Sequence, residues 1–196
     1  MLVIALLLKA PIRMGSVVYT DLKISMATSQ VTVSIENLAP TNGTRLTPVW
    51  VGFHNGEFDT FDGGSAASPA LEALAEDGNN DPLSQDFNAS GLGDVDGNVG
   101  AAPIQPGETV EQSFTVNTAD GQYFSFASMV LPSNDTFVGN GNPEAYLLFN
   151  DAGKFVGSDI LVLGSEAYDA GTEENTELHE NTAYFGQATT DTGVEE

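Results

Sequence analysis

Val31, Val33 and Ile35 alternate with Thr32, Ser34 and Glu36. That period of two predicts a strand with one buried face. Phe114 and Val116 flank Thr115 in the same way. Residues 48–53 (PVWVGF) are a denser apolar run. Residues 123–131 (YFSFASMVL) are the longest strand candidate, with Phe124, Phe126, Ser128 and Val130 on one face. Residues 145–149 and 160–163 add two more. The Asn150-Asp151-Ala152-Gly153 stretch between them is a turn that would close a hairpin. A helical period occurs once, where Leu71, Leu74 and Ala75 share a face. Ser68 suits the N-cap, Pro69 the first helical position and Gly78 the stop. Asp81-Pro82 predicts a further short turn of helix. Residues 58–100 are therefore a long excursion between strands, expected to lie as a lid over one end or edge of a β-sandwich.

Residues 2–8 (LVIALLL) break the alternation, being apolar throughout before Lys9. The run is far shorter than the roughly 20 residues of a membrane-spanning helix. It has the apolar core of a signal peptide without a basic start or a clean small-residue cleavage site. Three readings stand: a signal remnant, an extra strand of this domain, and a strand lent to a neighbouring copy. The expected organisation is an N-terminal apolar segment over residues 1–28 and one β-sandwich domain over residues 29–196, since no Pro- or Ser-rich linker divides the latter.

Composition narrows the picture. The 21 glycines and the many Asn, Asp, Ser and Thr, with the short apolar runs, favour β structure with many turns. Acidic residues number 28 against five basic ones, a formal charge of −23. No basic stripe exists to neutralise phosphates, so nucleic acid is excluded as a partner, and anionic lipid is disfavoured. Such a field attracts calcium, but it attracts any cation, and its plainest role is solubility or life in salty water. The absence of cysteine excludes disulfides, thiolate metal sites and cysteine nucleophiles. An exported protein built this way suits a bacterial or archaeal source.

Candidate chemistry is sparse. Two acidic turns, Pro132-Ser133-Asn134-Asp135 and Tyr168-Asp169-Ala170-Gly171-Thr172-Glu173, each follow an apolar run. Together they would bring Asp135, Asp169 and Glu173 to one end of a sandwich. Three hard carboxylates with nearby carbonyls are what Ca2+ needs; the plainer alternative is that all three start or cap turns. Asp94-Val95-Asp96-Gly97-Asn98 begins like an EF-hand loop. It then puts Val99 where that loop needs glycine and Gln105 where it needs glutamate, so it reads as a turn. His54 and His179 are too few for zinc, and His54 is expected to make ordinary hydrogen bonds at a strand end. No G-x-S-x-G elbow, P-loop or G-x-G-x-x-G is present, and no carboxylate pair stands out for glycoside hydrolysis. Asn42, Asn88 and Asn134 open N-x-S/T triplets, read as incidental.

The PSND-x-FVG stretch at residues 132–139 and the DAGTE stretch at 169–173 combine with three further segments. These are residues 46–54 (LTPVWVGFH), the Ser68-Pro69 helix, and residues 184–187 (YFGQ). In combination they resemble the spondin N-terminal domain family, of the bacterial and archaeal type, over about residues 31–193. The resemblance implies a C2-like antiparallel β-sandwich with one short helix in a long loop. It also implies calcium bound by loops at one end, through Asp135, Asp169 and Glu173. Animal members tend to carry Asp where this chain has Glu173. The expected function is a non-enzymatic, calcium-binding adhesion or binding module, extracellular or at the cell surface, with a protein or glycan ligand and no integral membrane span. The alternative is a structural subunit of a surface assembly or filament, joined by strand exchange through the apolar N-terminus.

Overall fold

Ten strands and two helices follow one another along the chain in the computed structural model, which describes residues 3–9, 27–176 and 178–187. The expectations for residues 10–26 and for the stretch up to Gly193 lie outside the described residues. The elements are β1 (Val3–Lys9), β2 (Thr28–Asn37), β3 (Arg45–Leu46), β4 (Val49–His54), α1 (Pro69–Asp77), α2 (Asp81–Ser90), β5 (Gly93–Val99), β6 (Thr109–Asn117), β7 (Tyr123–Leu131), β8 (Thr136–Gly139), β9 (Ile160–Leu163) and β10 (Tyr168–Asp169).

Two antiparallel sheets face each other. One has the order β6-β2-β1-β9; the other runs β10-β8-β7-β4-β5, with β3 also paired to β7. The period-two faces meet between them. Val31, Val33 and Ile35 of β2 pack with Val51 and Phe53 of β4 and with Phe124 and Phe126 of β7 in one buried cluster. Leu6 of β1 joins that cluster, 1% exposed, at a register opposite both Ile35 and Ile160. The apolar run at residues 2–8 thus supplies a strand of its own chain's sheet, hydrogen-bonded on both sides.

The helices within residues 58–100 cover a face, where the sequence pattern suggested an end or edge. Every residue of β4 is buried, because its second face is covered too. Trp50, Ala127 and Phe137 project outward from the second sheet. There they meet Leu71, Leu74 and Ala75 of α1 and Leu83 and Phe87 of α2. Ser68 Oγ accepts the Leu71 N–H at 3.2 Å, and Gly78 closes α1 in the left-handed conformation at φ 64°. The Asp81-Pro82 turn extends to a ten-residue helix, so the excursion carries two helices.

A second correction concerns residues 94–98. They form β5, paired along β4, where the sequence suggested a turn. Gly93 lets the Phe87 ring close on the strand: a Cβ there would lie 2.1 Å from the ring. Residues 145–149 form isolated bridges in place of a strand, at Leu147 to Tyr123 and Phe149 to Phe155. The expected turn is present, with the Gly153 N–H donating to the Asn150 carbonyl at 2.7 Å. It folds the chain onto its own return path, however, and β9 pairs elsewhere.

Candidate functional site

Short strand pairing brings the two acidic turns together. Tyr168 and Asp169 of β10 lie opposite Phe137 and Thr136 of β8, and the Ala170 N–H donates to the Asp135 carbonyl at 3.2 Å. Ser133 shapes the first turn: its hydroxyl donates to the Val130 carbonyl at 2.6 Å and accepts the Thr136 N–H at 3.1 Å. In the second turn, Asp169 Oδ1 accepts the Gly171 N–H at 2.9 Å, the Asx-turn that an Asp-x-Gly sequence favours.

Asp135 is the centre of the junction. Its side chain is fully buried, and Oδ2 accepts the backbone N–H of Thr172 at 3.0 Å and of Glu173 at 3.2 Å. Oδ1 is equally buried and has no hydrogen-bond donor. Burial raises the Asp135 carboxyl pKa, the two backbone donors oppose that rise, and the charges of Asp169 and Glu173 add to it. A buried, charged oxygen without a donor is costly, so the site suits a ligand that supplies positive charge.

The other two carboxylates are close but engaged. Asp169 is exposed, and its Oδ2 accepts from Asn175 Nδ2 at 2.8 Å. Glu173 is 3% exposed, and its Oε1 accepts from Gln187 Nε2 at 3.0 Å. Among the described residues, no three Asp, Glu or His side chains converge as a preformed metal group. The residues fit a hard cation in chemistry: all are oxygen donors, one is orphaned and buried, and the two adjacent loops hold three carboxylates. Binding would require Asp169 and Glu173 to exchange amide donors for the ion. Thr172, Asn175 and Gln187 are the partners that sequence reading missed. Only the Asp-Ala-Gly turn carried a local signal for any of them.

The remaining candidates are structural. Asp94 Oδ2 accepts the Asn117 N–H at 2.7 Å. Asp96 accepts from the Trp50 indole at 3.1 Å and from Asn88 at 3.0 Å, tying α2 to β5. Asn134 is half-buried and donates to the Glu173 carbonyl at 3.4 Å, a poor place for a glycan. His54 makes the hydrogen bonds expected of it, with Nε2 2.9 Å from Ser125 Oγ. Its Nδ1 accepts the Gly56 N–H at 3.1 Å, and burial lowers its pKa to about 4. The ring is therefore neutral with its proton on Nε2, donating to Ser125. A general base would need a lone pair on that nitrogen, so this buried pair is not an activated nucleophile.

Beside the acidic junction, Pro132, Asn134, Asn175, Thr176, Leu178 and Phe185 help line an open cleft of about 210 Å³. No helix of the described residues is long and apolar enough to cross a membrane. The sequence model of a family described as Spondin_N matches residues 32–190. No curated protein matches the chain.

Proposed function

Since this chain belongs to the spondin N-terminal domain family, we propose that it is an exported, non-enzymatic binding module of C2-like type whose loop end is rigidified by calcium. The observation that carries this reading is Asp135: a fully buried carboxylate with one oxygen lacking a donor, beside two further acids. Asp135, Asp169 and Glu173 would hold the ion. Calcium would neutralise their mutual repulsion and tie the β7–β8 turn to the segment after β10. Glu173 in place of Asp lengthens the third arm.

Extracellular modules bind calcium at roughly 0.1–1 mM. At about 100 times the dissociation constant, ligand binding adds on the order of 2.7 kcal/mol of stability. Calorimetric melting with calcium and with chelator tests the proposal. Calcium should raise Tm, and Asp169→Ala should remove the rise. Identical melting in the two conditions would sink it.

One observation favours a second reading, a structural subunit joined by strand exchange. β1 lies outside the matched residues yet fills the slot between β2 and β9. A second copy's β1 entering that slot would link subunits. Light scattering of the full chain decides it: a monomer at all concentrations rejects exchange.

A further inference from the structure

Asn-Gly pairs occur at three places in the chain, Asn42-Gly43, Asn55-Gly56 and Asn140-Gly141. In such a pair the glycine nitrogen attacks the preceding side-chain amide with the least hindrance, because no Cβ stands beside it. The surroundings of the three pairs differ. Asn140 is 7% exposed, and its amide is held at both ends. Nδ2 donates to Ser125 Oγ at 3.0 Å and to the Asn142 carbonyl at 3.2 Å, while Oδ1 accepts the Phe126 N–H at 2.9 Å. At the Asn42 turn, the Gly43 N–H donates to the Pro40 carbonyl at 2.7 Å. A carbonyl holds that proton but is far too weak a base to take it. Asn55, directly after β4, is exposed. The Glu57 N–H donates to its Oδ1 at 2.9 Å and polarises the side-chain carbonyl. The Gly56 N–H donates to His54 Nδ1 at 3.1 Å, a nitrogen with a lone pair.

Here the nucleophile has a base and the electrophile has a donor. We propose that Asn55 is a self-modification site, where the Gly56 nitrogen closes a succinimide on the Asn55 side chain and water opens it to aspartate and isoaspartate. The Gly56 nitrogen bonds to Asn55 Cγ as its proton passes to His54 Nδ1. Charge that develops on Oδ1 is stabilised by the Glu57 N–H. The Cγ–Nδ2 bond then breaks, and the amide leaves as ammonia with the proton from Nδ1. Water adds to one of the two ring carbonyls. Attack on the side-chain carbonyl gives aspartate, and attack on the main-chain carbonyl gives isoaspartate. Burial keeps the His54 ring neutral, with its pKa lowered to about 4, so Nδ1 accepts at neutral pH. Both products add a carboxylate beside Glu57. Isoaspartate also inserts a methylene into the main chain shortly before the buried Phe58, which packs on Trp50 and Phe87.

Peptide mapping by mass spectrometry tests it, on the full chain aged at neutral pH either folded or unfolded in urea. In the folded protein, the mass gain of amide-to-acid conversion should appear first on the peptide that holds Asn55. Asn55 should convert faster folded than in urea, whereas Asn42 and Asn140 should convert more slowly folded. His54→Gln leaves an acceptor without a base. So weak a base should contribute less than the roughly 10²–10⁴-fold of a well-matched one, and the variant should slow Asn55 about tenfold. Conversion at Asn42 should not change. Three results overturn the proposal: Asn42 or Asn140 converting first, Asn55 converting more slowly folded than in urea, or an unchanged Asn55 rate in folded His54→Gln. The comparison with urea needs no variant, so it decides the matter even where His54→Gln fails to fold.

Discussion

His54 donates to Ser125 across 2.9 Å inside the second sheet, with both side chains fully buried. The Gly56 N–H fixes the direction by occupying Nδ1. Protonating the ring would place a second N–H against that backbone donor. With a pKa lowered by burial to about 4, against 6.5 when exposed, the folded state binds fewer protons than the unfolded one. The stabilisation is complete above 6.5 and is lost as pH falls from there to about 4. Its size is about 3 kcal/mol. His54→Gln lacks the titration. Urea unfolding of both proteins across this range should show wild type losing about that much relative to the variant. Parallel curves would contradict it.

Asp135→Asn separates the burial of a charge from the binding of a cation. Folding now carries the cost of a buried carboxylate whose pKa is raised, a cost present above the raised pKa and relieved as pH falls through it. In chelator, the variant should therefore melt higher than wild type at neutral pH, and the gap should close in acid. Its melting should not respond to calcium. A variant that still gains stability from calcium would place the ion elsewhere.

Gly93→Ala tests the packing of α2 on β5. The new Cβ would meet the Phe87 ring at 2.1 Å and force that buried ring to move. Overpacking of this kind costs about 1–3 kcal/mol. Gly63→Ala is the control: nothing lies within 4 Å of its Cβ, and the change should stay within about 0.5 kcal/mol. Equal effects of the two in chemical denaturation would refute the contact.

Leu6→Ala asks whether the first strand bears on stability. Leu6 is 1% exposed and faces Ile35 and Ile160 in register. Truncating such a side chain costs about 2–5 kcal/mol. A melting temperature unchanged by the substitution would mean that the N-terminal run is not part of the folded core.

The legible parts of the fold are those where local pattern and final environment agree. β2 alternates because one face meets the core, and Ser68, Pro69 and Gly78 delimit α1 with their own backbone chemistry. β5 was hidden because Asp94, Asp96 and Asn98 make it look like a loop, while Trp50 and the Asn117 backbone, which hold Asp96 and Asp94, are distant in sequence. The helical layer was misplaced although the continuous apolar run of residues 48–53 is consistent with a strand buried on both faces; only the assembled sheet shows that Trp50 lies on an outer face that the helices cover. At the acidic junction, Asp135, Asp169 and Glu173 were legible as types and spacings. The donors that occupy them, from Thr172, Asn175 and Gln187, depend on the pairing of β8 with β10, which four- and two-residue strands do not announce.

β1 pairs with β9, so residues near the start of the chain wait for partners near residue 160. During synthesis the ribosome releases this apolar strand long before the strand that closes its far side exists. Until then one ladder edge of the run stays unpaired. Completion of the first sheet is thus tied to the emergence of nearly the whole domain. Non-local pairing of this kind favours slow folding.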